Sequence, residues 1–66
     1  MATRLGMRVK KLRIKAGLTQ GELGKKAGVT HAYMSMLESG AEDNPSLKVL
    51  KAIAKALKVK VGELLE

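Results

Sequence analysis

The sequence contains no cysteine, phenylalanine or tryptophan, and only one histidine and one tyrosine among its 66 residues. Without cysteine, neither a disulfide framework nor a thiolate metal site can form. A single histidine also excludes histidine clusters that bind metals and cysteine–histidine pairs that act as nucleophiles. We therefore expect no metal, no cofactor and no enzymatic activity.

Long apolar runs are missing as well. No run approaches the roughly 18–20 residues that span a membrane, and residues 1–6 carry no apolar segment typical of a signal peptide. A chain of this length is expected to form one small domain, 1–66. We expect a cytoplasmic protein that is not associated with membranes and has no small-molecule effector.

Acidic residues are few. Thirteen Lys and Arg face six Asp and Glu, which gives a net charge of +7. Residues 1–30 hold eight of the basic residues and one acidic residue, whereas residues 31–46 hold three acidic residues and no Lys or Arg. So large an excess favours a polyanionic partner. The alternative is a solvated surface that only keeps the chain soluble.

Apolar residues recur at helical spacing and predict an all-α fold of five short helices. The expected apolar face of the first helix is Leu5, Val9, Leu12 and Ala16, and that of the fourth is Leu47, Leu50, Ile53, Ala54 and Leu57. The predicted helices are 3–15, 20–27, 31–38, 47–57 and 61–65.

Short polar residues and glycines mark the helix ends. Thr19 and Glu22 have the spacing of a capping box, and Thr30 and Ser46 are expected N-caps. Glycines are expected to end the first three helices, at Gly17, Gly28 and Gly40. Gly24 is expected to permit a close helix approach, whereas nothing in the sequence explains Gly21.

Residues 20–39 predict a helix-turn-helix, with Gly24 as the small residue of its first helix and Gly28 at the turn. Apolar residues lie where the two helices would touch. The alternative is an ordinary αα-hairpin of a small bundle. A KH-type Gly-x-x-Gly loop at residues 21–24 is disfavoured because no strands flank it, and a membrane-surface role for the first helix is disfavoured because the core needs its apolar face.

Nearly the whole chain, from about Leu5 to Leu65, resembles the Cro and phage-repressor type helix-turn-helix family. The resemblance rests on separate segments that match in the right order: 9–13, 17–23, 27–30, Tyr33, 37–40 and 44–57. It implies a compact, five-helix, lambda-repressor-like domain whose third helix enters the major groove of DNA.

The resemblance also implies roles for individual residues. Arg13 and Glu38 match a structural ion pair that joins the first helix to the third. The residues expected to contact bases are Thr30, His31, Ala32, Ser35 and Met36. The residues expected to contact the DNA backbone are Gln20, Tyr33, Ser39, Asn44, Ser46, Arg8 and Lys15.

Two departures from the family pattern are evident. The connection before the fourth helix is often basic in the family, whereas here it contains Glu42 and Asp43. Either this loop turns away from DNA, or Asn44 and Ser46 make neutral contacts while the first helix supplies the positive charge. The recognition helix also lacks the Arg, Asn and Gln side chains that most often recognise bases. His31 is expected to donate to guanine, and specificity is expected to depend on apolar contacts and DNA shape.

The resemblance and the charge together predict a sequence-specific transcriptional regulator of double-stranded DNA, which in the family's manner is expected to be a repressor. A homodimer formed through the C-terminal helix would bind a near-palindromic operator. Val59, Val61, Leu64 and Leu65 are the residues expected at the dimer surface. The alternative is a protein-interaction module of the same fold, of the antitoxin or bridging-factor type, in which DNA binding is secondary.

Overall fold

Five helices make up the protein in the computed structural model, which describes residues 3–66. They are α1 (Arg4–Lys15), α2 (Gln20–Ala27), α3 (His31–Ser39), α4 (Leu47–Leu57) and α5 (Val61–Leu64). No strand occurs within 3–66, so the all-α, five-helix fold is confirmed. The predicted domain 1–66 also includes Met1 and Ala2, which lie outside the described residues.

The helix boundaries differ from the predicted ones by one residue in three places. Thr3 is the N-cap of α1 and not its first residue, because its Oγ1 accepts a hydrogen bond from the Gly6 amide at 2.9 Å. The third helix continues through Ser39, and α5 stops at Leu64. The three glycine ends are confirmed by left-handed φ angles of 75°, 78° and 92° at Gly17, Gly28 and Gly40.

The core lies where α2 packs against α3 and α4, and where α1 packs against α3. Its fully buried side chains come from all five helices, which explains how a chain without phenylalanine or tryptophan closes a core. They are Val9, Leu23, Met34, Leu37, Ile53 and Leu64.

Three apolar residues do not lie where the pattern placed them. Ala16 is exposed because it caps α1 beyond the last turn, and Leu47 is 58% exposed because it stands in the first turn of α4, at the edge of the core. Leu64 is fully buried in the protein's own core. The expectation that Leu64 is available at a dimer surface is therefore wrong.

Gly6 is a packing position that the apolar pattern did not reveal. A Cβ at this residue would collide with the Leu37 carbonyl oxygen and lie 3.0 Å from that of Glu38. Glycine thus lets α1 cross the end of α3 backbone to backbone. Within 3–66, no helix is both long and apolar enough to cross a membrane.

Candidate nucleic-acid interface

One face of α3 is exposed along its whole length. Its members form pairs three and four residues apart, as neighbours on one side of a helix do. The residues of this outer face are His31, Ala32, Ser35, Met36 and Ser39. All four residues of α3 that were expected to contact bases lie on it, and Thr30 stands at its start as the N-cap. We call this surface the outer face of α3.

The opposite face of α3 is buried. Met34 and Leu37 are completely inaccessible and Glu38 is 5% exposed. Because these three side chains fix the helix in the core, the outer face is held on a rigid support.

The turn between α2 and α3 sets the angle of α3. Gly28 ends α2 with φ 78°, a conformation that costs glycine nothing and that other residues rarely adopt. At Gly24, a Cβ would lie 2.8 Å from the carbonyl oxygen of Val29 and 3.2 Å from that of Thr30. The expected close approach at Gly24 is thus made by the backbone of the turn.

Thr30 caps α3 with its side chain. Its Oγ1 accepts a hydrogen bond from the Tyr33 amide at 3.0 Å. A hydroxyl group also has one proton to donate. Thr30 can therefore hold the start of α3 and still donate to an acceptor on DNA.

Arg13 and Glu38 join α1 to the inner side of α3. Arg13 Nε and Nη2 donate to the two carboxylate oxygens of Glu38 at 2.7 and 3.0 Å, and Nη1 donates to the Leu18 carbonyl at 2.8 Å. The side chains are only 11% and 3% exposed. The hydrogen bond to Glu38 raises the pKa of the Arg13 guanidinium above its ordinary value.

Gln20 continues this connection to the outer face. Its Nε2 donates to Glu38 Oε1 at 3.2 Å, and its Oε1 lies 3.1 Å from His31 Nε2. The side chain expected on the DNA backbone therefore has two partners inside the protein. The first amides of α2 remain a site that favours an anion, because a helix N-terminus carries partial positive charge.

The loop after α3 is folded back on itself. The Glu42 carboxylate accepts a hydrogen bond from the Asn44 amide at 2.9 Å, and the Glu42 amide donates to the Met36 carbonyl at 3.0 Å. Ser39 Oγ donates to the same carbonyl at 3.2 Å. These bonds hold the Glu42 carboxylate close to the end of α3.

Tyr33 and Ser46 lie on either side of this loop. Burial, with a smaller contribution from the Glu42 charge, raises the pKa of the Tyr33 phenol. Ser46 caps α4, since its Oγ accepts from the Val49 amide at 3.2 Å. Its hydroxyl proton remains free for another acceptor.

The two basic residues expected on the DNA backbone lie in different surroundings. Arg8 is directed to the C-terminal end of the chain, where Nε donates to the Glu63 carbonyl at 2.8 Å and Nη2 pairs with Glu66 at 3.2 Å. Lys15 is the exposed last residue of α1. The structure therefore does not bring these two side chains together.

Lys10 is a candidate that the sequence reasoning missed. It follows Gly6 by four residues and precedes Arg13 by three, so it shares the row of α1 that faces α3. Both of those neighbours contact α3, and Lys10 is exposed. The helical period places Lys10 in one row with Gly6 and Arg13. Only the contacts of Gly6 and Arg13 show that this row borders α3.

Among residues 3–66, no three His, Cys, Asp or Glu side chains lie close enough together to hold a metal ion. The open groove between α2 and α4 measures about 390 Å³, is lined by lysine and alanine, and includes no residue of α3. Helix faces and charge, and not an enclosed cavity, are what the outer face of α3 and its surroundings offer a partner.

Comparison with known proteins gives a consistent answer. The profile of the helix-turn-helix family matches residues 9–64. The chain is 37% identical over 62 residues to the HTH-type transcriptional regulator SinR of Bacillus subtilis, which covers 94% of this chain and 56% of SinR. It is 38% identical over 58 residues to the immunity repressor of Bacillus phage phi105, covering 88% of this chain and 40% of the repressor. The chain thus spans about half the length of these relatives.

A solved structure shows the same fold. The crystal structure of SinR in complex with DNA superposes with a TM-score of 0.90 at 37% identity, covering 94% of this chain and 98% of that one. The family match, the relatives and the geometry of α2 and α3 agree. The chain belongs to the helix-turn-helix family of the Cro and phage-repressor type.

Proposed function

We propose that this protein is a transcriptional regulator, of the repressor kind, that binds specific sequences of double-stranded DNA through the outer face of α3. The observation that carries the proposal is that this face is exposed along its whole length while its inner side is fixed in the core. A helix held in this way suits the major groove, which is wide enough to admit it. The likeness to SinR, whose fold is seen bound to DNA, supports it.

Base recognition is assigned to Thr30, His31, Ala32, Ser35 and Met36. The hydroxyl groups can bond to several bases, and Ala32 and Met36 can contact the methyl group of thymine. None of these contacts is bidentate, so DNA shape is expected to contribute to the choice of sequence. The proposed location, with DNA as the partner, is the cytoplasm.

Phosphate contacts are assigned to groups around α3, because residues 31–46 contain no Lys or Arg. The N-terminus of α2 at Gln20 offers amides to a phosphate, and Lys10 and Lys15 supply positive charge from α1. Hydroxyl, phenol and amide groups of Tyr33, Ser39, Asn44 and Ser46 make the neutral contacts. Arg8 would first have to leave its partners on the C-terminal residues.

The proposed active form is a homodimer that pairs through the α5 region. Leu65 is 60% exposed, and Val59 and Val61 are only partly covered, so an apolar edge remains at this end. Two copies would place their α3 helices about 34 Å apart on a near-palindromic site. Sedimentation of the 66-residue chain as a monomer at high micromolar concentration would contradict this arrangement.

A salt titration of binding to duplex DNA tests the function. Affinity should fall steeply with salt, because the bound Lys residues release counterions from the phosphates. Lys10→Ala should weaken binding to all sequences and reduce the magnitude of the salt slope by about one. The matched control is Lys55→Ala in α4, which should leave both the affinity and the salt slope unchanged. Binding that is independent of salt would exclude the proposal.

A protein-interaction module is the second candidate, and one observation favours it. Glu42 and Asp43 lie in the loop that follows α3, where their negative charge would repel a phosphate. In an in vitro selection from random duplexes, the DNA-binding proposal requires that His31→Ala and Ser35→Ala change which sequences are retained. Equal retention of all duplexes by the unmodified protein would favour the second candidate.

A further inference from the structure

A continuous chain of hydrogen bonds connects the core to the first residue of the outer face. It runs from Arg13 to Glu38, from Glu38 to Gln20, and from Gln20 to His31. The Arg13 guanidinium can only donate and a carboxylate can only accept. The donor and the acceptor of each following bond can therefore be assigned in turn, starting from Arg13.

Glu38 determines the first direction. Its carboxylate is paired with the Arg13 guanidinium through both oxygens, so it is ionised and can only accept. The group that Gln20 turns toward Glu38 must then be its amide NH₂, at 3.2 Å. A flipped amide would place two acceptors against each other beside a nearly buried carboxylate.

Gln20 determines the second direction. With its nitrogen on Glu38, its carbonyl oxygen faces His31 Nε2 at 3.1 Å. A carbonyl oxygen has no proton to donate, so Nε2 must carry one. In a neutral imidazole only one nitrogen is protonated, which leaves Nδ1 with a lone pair and no proton.

Gly21 lies beside the imidazole. A Cβ at Gly21 would lie 3.8 Å from Nδ1 and 4.0 Å from Cγ of the imidazole, at ordinary contact distance, so residue 21 does not displace the ring. The side chain of His31 is itself exposed.

We infer that His31 presents Nδ1 to DNA as a hydrogen-bond acceptor, and that it selects a base with a donor in the major groove. Only adenine N6 and cytosine N4 offer such donors, whereas guanine and thymine present acceptors at the corresponding edges. Gln20 is the positioning residue, since it decides which nitrogen is protonated. The inference rests on the proposed DNA-binding function and reverses the expectation that His31 donates to guanine.

Nitrogen-15 NMR of the free protein tests the positioning step without DNA. At mildly alkaline pH, the Nε2-protonated tautomer should predominate over the Nδ1-protonated one in the unmodified chain. Gln20→Met removes the acceptor and should reduce that predominance, while the signals of the core stay in place. Predominance of the Nδ1-protonated tautomer in the unmodified chain would overturn the inference.

Selection of duplexes at the same pH tests the DNA step. The unmodified protein should prefer one base pair at one position of each half-site by about fivefold, as one hydrogen bond allows, and His31→Ala should remove the preference at that position alone. Replacing the adenine or cytosine of that pair by an analogue without the exocyclic amino group, purine or 2-pyrimidinone, should weaken binding of the unmodified protein by a similar factor, because the donor to Nδ1 is lost. Gly21→Ala keeps the Gln20 contact and an ordinary distance to Nδ1, and should leave the preference unchanged.

The outcomes separate the two proposals. Undiminished binding of the unmodified protein to the duplex that lacks the amino group at the position dependent on His31 would overturn the inference and leave the proposed function intact. If the unmodified protein enriches no sequence, the proposed function fails and the inference fails with it.

Discussion

Each face of α3 holds a methionine, but the two faces differ in burial and in the residues around that methionine. The inner face buries Met34, Leu37 and Glu38, while the outer face exposes Met36 at 45% together with small and polar side chains. Every inner residue has a fixed partner in the core or in Arg13. The difference shows that the helix is anchored by one half of its circumference, which leaves the other half free to change with the target. Four predictions test this division, from the largest expected effect to the smallest.

Glu38→Ala should cause the largest loss of stability on the inner face. It leaves Arg13, whose side chain is 11% exposed, without its ionic partner, and breaking such a pair costs about 3–5 kcal/mol. Denaturant unfolding measures the loss. The control is the double variant Arg13→Met with Glu38→Leu, which leaves no unpaired charge and should recover much of the stability. Equal losses in the single and the double variant would contradict the ion-pair explanation.

Met34→Ala and Met36→Ala compare the same substitution on the two faces. Met34 is fully buried, so its truncation should cost about 2–5 kcal/mol. Met36 is 45% exposed, and its truncation should change the free energy of unfolding by no more than about 0.5 kcal/mol. Met36→Ala should instead alter the sequences retained in a DNA selection. A large stability loss from Met36→Ala would abolish the distinction between the faces.

Gly24→Ala and Gly21→Ala compare the two glycines of α2. At Gly24 the new Cβ would meet the backbone of the turn at 2.8 Å, so a loss of about 1–3 kcal/mol is expected. At Gly21 the nearest atom outside α2 would be His31 Nδ1, 3.8 Å away, and the higher helix propensity of alanine should add up to about 1 kcal/mol. Thermal unfolding of both variants measures these two changes in stability. Similar effects at the two positions would refute the assignment of close packing to Gly24.

Tyr33 lies at the border between the faces and should give the smallest effect. Burial raises the pKa of its phenol, with a smaller contribution from Glu42. The folded state thus holds the proton more tightly than the unfolded chain, whose tyrosines titrate near pH 10. The corresponding stability is present below that pH and is lost as the pH rises through the folded pKa.

Ultraviolet absorbance measures this directly, because Tyr33 is the only aromatic residue besides the histidine. The native protein should titrate at higher pH than the protein in urea. Glu42→Gln should remove only the smaller part of the difference, since burial remains. Coincident titrations of the native and the unfolded chain would show that Tyr33 is not shielded by the fold.

Sequence reasoning located the helices because they follow from the helical period, and it located the residues of the outer face of α3 through the family resemblance. It was less successful where a second element decides. Leu47 has the apolar spacing of α4 but stands at the edge of the core, and Leu64 was assigned to a partner although the protein's own core contains it. Gly6 and Lys10 went unnoticed because their importance comes from the closeness of α1 to α3.

The sequence by itself determined the number and order of the helices, the N-caps of α2, α3 and α4, the glycine ends of the first three helices, and the family to which the chain belongs. These features depend on local spacing and on residue types that allow few alternatives. Only the tertiary structure decided which partners the polar side chains take. Successive members of the series Arg13, Glu38, Gln20 and His31 are separated by 25, 18 and 11 residues along the chain, and no local rule connects them. Their hydrogen bonds form because α1, α2 and α3 converge, and the direction of those bonds fixes what His31 offers to a base.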